Sequence, residues 1–375
     1  MNRNRYILAA AAIGIAAMTA SAATLTLPRE SQASSITQSI GLVTVKVDYS
    51  SPRVHAPVTN KDRHGEVYGK LVPYGMTNLG FGSCKECPWR AGANENTTFT
   101  TSHDISVEGQ RLPAGTYGVH MIPDANEWTV IFSKNHTSWG SFFYDASEDQ
   151  LRVKVKPVKG EYHEALTYDF LDRQTDHATL ALRWEDLSIP IQITVPDSDE
   201  LYVANLRHEM RAEPGFQWEN VITASQFALK HKHPAEALEW ARYAVSGGIA
   251  SENFQSLINL SEAQEANGKT AEAAATKEKA FGHPSATPVD MHQYARQLLT
   301  KKQKDEAIRV WQLNAKLHPG VWPVNVGLAR ANSASGNYKE ASKYAKLAIA
   351  QAPDEANKKA LEGYVKKLDA GQDIN

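Results

Sequence analysis

The hydrophobic pattern of this chain changes its period close to Pro196, and that change limits the folds available to it. Upstream, apolar and polar residues alternate, as in residues 43–49, where every second residue is Val or Tyr. A period of two is typical of strands with one buried face. Downstream, apolar residues recur at helical spacing, as in residues 344–349. The sequence therefore predicts a β part, residues 23–196, followed by an α part, residues 197–375.

The β part contains about nine short strand-like runs separated by turn residues. They lie at 43–49, 97–102, 115–122, 127–133, 141–145, 151–156, 165–171, 178–184 and 189–195. Regularly spaced strands with no helical period between them predict an antiparallel sandwich or barrel, of which we expect the sandwich. The tryptophans Trp128, Trp139 and Trp184 are expected in its core.

The α part repeats with a period of about 34 residues. Glu-Ala pairs recur at spacings of 36, 34 and 34 residues. The pairs are Glu236-Ala237, Glu272-Ala273, Glu306-Ala307 and Glu340-Ala341. This is the tetratricopeptide period, with a small residue where the two helices of a hairpin approach closely. Each hairpin buries its apolar face only against its neighbours, so the sequence predicts a stacked array of helical hairpins.

The first 22 residues are predicted to be a cleavable signal peptide. Arg3 and Arg5 precede the apolar run 7–18, and small residues follow it up to Ala22. That order is typical of secretory signals, and the run is too short to span a bilayer. We therefore expect a periplasmic or secreted protein with no transmembrane anchor after cleavage.

Net charge excludes one class of partner. The full chain has a formal net charge of −2. Loss of the signal peptide would leave 38 basic and 42 acidic residues. This balance gives no basic footprint for nucleic acid. No cofactor or metal site is predicted either.

The densest group of chemically active residues lies in one loop before a strand, at Trp89, Arg90, Asn94 and Glu95. One interpretation is a ligand site, in which Trp89 stacks on the ligand and the three polar side chains converge on it. The other is structural: Arg90 and Glu95 pair with each other or with the loop backbone, and Trp89 closes the end of the sandwich. The sequence leaves both open.

The same loop carries a resemblance to a known family. Pro73-Tyr74-Gly75, Trp89 to Glu95 (a Trp-Arg-x-Gly-Ala-Asn-Glu motif), 112–117, 127–132 and 151–153 follow in order. Together they resemble a secreted bacterial family of unknown function, over most of residues 25–195. The resemblance implies a β domain, commonly with a helical-repeat tail, and no assigned activity. The chain departs from the family pattern at Ser51, where Arg is usual, and in residues 76–88, which look like an insertion.

Cys84 and Cys87 are the only cysteines. In an exported protein such a pair predicts a disulfide. A metal or redox role is the alternative, but a redox Cys-x-x-Cys motif needs a βαβ context that is missing here. Zinc would need further ligands, for which His103 and His120 are candidates without a recognisable spacing.

Two histidines, His55 and His64, lie in a basic loop near Asp48 in the sequence. A histidine beside a carboxylate can perform acid–base chemistry. The alternative is a polar surface loop.

The main functional hypothesis is a ligand-binding β-sandwich coupled to a helical-repeat array that binds another protein. The β domain would take a small molecule or a glycan. The alternative is a hydrolase with glycans as its candidate substrates, with Glu95 as general acid or base and Asp48 as a second carboxylate.

Overall fold

A computed structural model describes residues 28–375. The predicted signal peptide, residues 1–22, lies outside the described residues. The chain separates into two compact units, with the division between Ser198 and Asp199. No helix in residues 28–375 is both long enough and apolar enough to cross a membrane.

The first unit has ten strands among the described residues. They are β1 Gln32–Ile40, β2 Val43–Ser51, β3 Thr97–Thr101, β4 Ile105–Val107, β5 Gln110–Leu112, β6 Gly115–Ile122, β7 Trp128–Ser133, β8 Asp149–Val155, β9 Val158–Leu171 and β10 His177–Thr194. The strands form a six-stranded sheet, β1-β2-β3-β6-β7-β8, and a four-stranded sheet, β5-β4-β10-β9. Every pairing between strands is antiparallel.

The two sheets bury their inner faces against each other. Val43, Val45 and Val47 of β2 are fully buried while the residues between them are exposed or half-buried. Tyr49 of β2 packs edge-on against Tyr168 of β9, with ring centroids 4.9 Å apart. Alternating inward residues from two sheets form the core of a sandwich, so the predicted antiparallel β fold is confirmed.

Several details of the predicted strands are wrong. The predicted strands 178–184 and 189–195 lie in one strand, β10, which ends at Thr194. Bulges around Glu185 shift its register and break the alternation, so that the sequence looks like two strands. Residues 141–145 form no strand. They are a turn in which Phe142 accepts a hydrogen bond from the amide of Cys84. Trp139 is 55% exposed rather than in the core.

The second unit has ten α-helices among the described residues. They are α1 Ser198–Glu209, α2 Trp218–Lys230, α3 Pro234–Ser246, α4 Phe254–Ala266, α5 Thr270–Phe281, α6 Pro288–Thr300, α7 Lys304–Leu317, α8 Trp322–Ala334, α9 Tyr338–Ala350 and α10 Glu355–Asp369. Helices α2 to α9 form four consecutive hairpins, and α10 packs on α9. The predicted array of tetratricopeptide-like hairpins is confirmed.

The repeated alanines explain how each hairpin closes. All four lie near the start of a second helix and are buried. In two hairpins a buried serine of the first helix donates to the alanine carbonyl, Ser225 to Ala237 and Ser261 to Ala273, both at 2.8 Å. Only small side chains permit this close approach of the two helices.

Candidate functional site

The tryptophan of the predicted loop is attached to the sandwich core. Trp89 exchanges two backbone hydrogen bonds with Met121 of β6, at 2.8 and 2.7 Å. Its indole lies nearly parallel to that of Trp184, with centroids 6.2 Å apart, and edge-on to Trp128. One face of Trp89 is therefore covered by the core, and the side chain is half-buried.

Arg90 is held by backbone and an aromatic ring. Its guanidinium donates to the Asn94 carbonyl at 2.5 Å and lies over the Phe142 ring, 5.0 Å from the centroid. It also packs so closely on Gly140 that a Cβ there would clash with the guanidinium. Partial burial lowers the pKa of Arg90.

Glu95 pairs with Arg29 rather than with Arg90. Arg29 contacts both carboxylate oxygens, at 2.8 and 3.0 Å, and the Ser50 hydroxyl lies 3.4 Å from one of them. The hydrogen bond from Arg29 lowers the pKa of Glu95, and partial burial opposes this only in part. A general acid needs a raised pKa, so this geometry gives no support to Glu95 as a proton donor.

The remaining predicted residues separate into different environments. Asn94 has a positive φ of 59° and donates to the Ser31 carbonyl at 3.4 Å. Asp48 lies on the outer face of β2 and pairs with Lys46 at 2.9 Å.

A pocket of about 310 Å³ lies beside the loop. The predicted residues Trp89, Arg90 and Asn94 line it, but Glu95 and Asp48 do not. Two further arginines, Arg53 and Arg63, line it as well. These were missed as site residues, although the basic composition of residues 53–70 is a signal in the sequence.

A disulfide joins Cys84 and Cys87, whose Cα atoms are 5.7 Å apart. Their loop is anchored by backbone hydrogen bonds between Cys87 and Thr77. No group of three or more His, Cys, Asp or Glu side chains in residues 28–375 is arranged to hold a metal ion. His120 is buried, with Nδ1 2.8 Å from the Ser141 hydroxyl, and His103 lies beside Ser102.

His55 and His64 each contact a carboxylate that is distant in sequence. His55 Nδ1 lies 2.9 Å from Glu164, and His64 Nε2 lies 3.0 Å from Asp186. Burial opposes ionisation of Glu164, but the hydrogen bonds from His55 and Tyr162 outweigh it and lower the pKa to about 2. These contacts attach the basic loop to β9 and β10.

A second concave surface lies in the helical array. It is lined by α2, α4 and α6, the first helices of three successive hairpins. This groove has a volume of about 280 Å³. Exposed amides line it, at Gln226, Gln255, Gln293 and Gln297. Aromatic rings line it too, at Trp218, Phe254 and Tyr294. Its charged residues are Glu219 and Asp290, both acidic.

Comparison with known proteins gives one similarity within the β unit. Residues 31–193 match the family model described as a protein of unknown function (DUF2911). No curated protein matches the chain.

Several solved structures similar to part of the chain are tetratricopeptide repeat proteins. A tetratricopeptide repeat protein from Parabacteroides merdae is 16% identical, with 46% of this chain and 71% of that chain covered and a TM-score of 0.28. A TPR protein from Thermus thermophilus is also 16% identical, covering 45% and 91%, with a TM-score of 0.27. YrrB, a TPR protein with an unusual peptide-binding site, is 15% identical, covering 44% and 84%, with a TM-score of 0.26.

Proposed function

We propose that this is a binding protein with two modules. The helical array binds an extended segment of another polypeptide, and the β unit binds a small ligand in the pocket beside Trp89 and Arg90. The signal-like sequence of residues 1–22 supports a location outside the cytoplasm, periplasmic or secreted.

The groove lined by α2, α4 and α6 carries the first half of this proposal. An extended peptide presents backbone N–H and C=O groups along its length, and glutamine amides can both donate to and accept from such groups. Four exposed glutamines on three neighbouring helices supply these partners at successive positions along the array. Of the aromatic residues at the groove, the half-buried Trp218 offers apolar contact for peptide side chains, while Phe254 and Tyr294 are buried in the core beneath it.

The charges of the groove favour a basic segment. Among residues 28–375, neither Glu219 nor Asp290 has a cationic side chain within 4.0 Å. The Asp290 carboxylate accepts a hydrogen bond from the Thr287 hydroxyl at 2.5 Å. Two carboxylates without counter-ions attract lysine or arginine and repel acidic peptides.

A peptide array tests this half of the proposal. Full-length protein is applied to peptides of random sequence, and the Kd of selected peptides is measured by fluorescence anisotropy. We expect the array to select basic peptides. The double variant Glu219→Gln, Asp290→Asn should bind these peptides about three- to tenfold more weakly than the wild type. Glu239→Gln, at an exposed position of α3 outside the groove, is the control.

Two outcomes would contradict this half of the proposal. If no peptide binds, the array does not recognise extended segments. If peptides bind the double variant and Gln293→Ala as tightly as they bind the wild type, binding occurs somewhere else on the array.

The pocket in the β unit supports the second half. Its volume of about 310 Å³ lies at the lower end of the range for small-molecule sites. It combines an aromatic wall with a few polar side chains, which is typical of such sites. The hydrolase alternative gains no support, since Glu95 and Asp48 lie outside the pocket and each has a cationic partner.

A further inference from the structure

The pocket beside Trp89 holds more positive than negative charge. Three arginines line it, Arg53, Arg63 and Arg90, against a single carboxylate, Glu30. Glu30 is exposed, so water screens its charge.

Only one of the three arginines is neutralised nearby. Arg53 pairs with Glu164 at 3.2 Å. Within the described chain, Arg63 and Arg90 have no carboxylate within 4.0 Å. Neither Arg63 nor Arg90 therefore forms an ion pair among residues 28–375.

Arg63 and Arg90 are nevertheless held in place. Arg63 donates to the carbonyls of Val54 at 2.9 Å and of Arg53 at 2.6 Å. Arg90 donates to the Asn94 carbonyl and is packed against Gly140 and Phe142. Carbonyl partners fix the orientation of a guanidinium without cancelling its charge. Each side chain also keeps N–H groups that these bonds do not use, out of the five that a guanidinium carries.

Part of the lining is apolar. The half-buried Trp89, the exposed Leu71 and the buried Val72 and Trp184 all line the pocket. An apolar wall beside fixed donors suits a ligand with an apolar body and an anionic group.

We propose that this pocket binds a small organic anion, a carboxylate or a phosphate ester. Arg63 and Arg90 donate hydrogen bonds to the anionic group, and the apolar body of the ligand packs on Trp89 and Leu71. This inference rests on the proposed ligand-binding function of the β unit, and names the chemical class of the ligand. Arginine suits the task because its planar fork matches the oxygens of carboxylates and phosphates.

Pairs of matched small molecules test the charge requirement. Benzoate and phenyl phosphate are compared with the neutral benzamide and benzyl alcohol, by ligand-observed NMR on the full-length protein at constant ionic strength. We expect at least one anion to bind about tenfold or more tightly than its neutral partner, as charge-assisted hydrogen bonds require. Whichever of benzoate and phenyl phosphate binds more tightly then indicates whether the site prefers a carboxylate or a phosphate.

Variants then locate the binding. Arg63→Gln and Arg90→Gln should each weaken binding of the anion about tenfold and leave binding of the neutral compound unchanged. Arg111→Gln is the control, since Arg111 is exposed and pairs with Asp104 elsewhere in the β unit. Arg63→Lys provides a milder change should Arg63→Gln disturb the loop, and it should weaken binding by a smaller factor.

The outcomes separate this inference from the function it rests on. If benzamide binds as tightly as benzoate and competes with it, the pocket binds ligands but does not select anions. If the anions bind and only Arg111→Gln weakens them, the site lies elsewhere. If none of the four compounds binds, both the anion inference and the proposed ligand function of the β unit are wrong.

Discussion

The buried histidine of the β unit gives a quantitative prediction about stability and pH. His120 is 2% exposed, accepts or donates one hydrogen bond with the Ser141 hydroxyl, and lies edge-on to Tyr144. Burial, with a smaller contribution from the charge of Arg90, lowers the pKa of His120 to about 4. The folded unit therefore holds this side chain neutral under conditions that protonate it in the unfolded chain, where the pKa is about 6.5.

The sign and size of the effect follow from proton linkage. A lowered histidine pKa contributes stability that is present above pH 6.5 and is lost as the pH falls towards 4. A tenfold change in proton affinity corresponds to about 1.4 kcal/mol. Protonation of His120 should therefore lower the free energy of unfolding of the β unit by about 2 kcal/mol between pH 7 and pH 5. The loss should reach about 3 kcal/mol below pH 4.

A non-titrating variant isolates this effect from all other groups. Urea unfolding of wild type and His120→Gln is measured between pH 7 and pH 4.5, with tryptophan fluorescence as the signal. His120→Gln should be less stable at pH 7, and its stability should fall less steeply with decreasing pH, so that the two curves converge. Parallel curves would show that His120 does not lose a proton on folding, and would refute the reasoning.

Three further predictions concern the loop, the cysteines and the two units. Glu95→Gln should lower the free energy of unfolding by less than about 1 kcal/mol, since its pair with Arg29 leaves both side chains more than 40% exposed; a loss of about 3 kcal/mol in urea unfolding would instead show a buried structural pair. Replacement of both cysteines by serine should hardly change the melting temperature, because the bridged residues are only three apart and the entropic gain from so short a loop is small; a collapse of stability, or stoichiometric zinc in the purified protein, would contradict this. Residues 28–198 expressed alone should give one cooperative melt by circular dichroism, and an insoluble product would show that the two units share a core.

Local periodicity predicted the helical array well, for a physical reason. The spacing of the Glu-Ala pairs reflects a contact made within each hairpin, between residues that are close in sequence. Ala237 and Ser225, for example, are 12 residues apart. Because neighbouring hairpins repeat that contact, its period is visible in the sequence without any knowledge of long-range packing.

The strands were harder to predict where the alternation of apolar residues is weak. Strand β1 was missed because it lies at the edge of its sheet and has few apolar residues, so that most of its side chains are polar and partly exposed. Strand β10 was divided in two because Glu185, with a positive φ of 54°, interrupts the period. In both cases pairing with the adjacent strand of a hairpin, β1 with β2 and β10 with β9, decides the structure, and the alternation of residues within a single run does not reveal that pairing.

The same limit applies to the ionic contacts of the site. Glu95 pairs with a residue 66 positions upstream, and His55 with one 109 positions downstream. Nothing local marks Arg29 or Glu164 as these partners. The sequence could identify a loop rich in functional groups, but only the fold could decide which of those groups face the same space.

The backbone of the loop explains why neighbours in the motif separate. Ala91 and Asn94 both have positive φ, 52° and 59°. These two turns direct Arg90 towards the pocket and Glu95 towards Ser50. A positive φ is unfavourable for alanine, and here the Ala91 carbonyl is held by hydrogen bonds from the Tyr168 hydroxyl at 2.9 Å and the Thr97 hydroxyl at 3.1 Å. Since both donors belong to core strands, the sandwich itself fixes the loop, and the arginine is positioned before any ligand arrives.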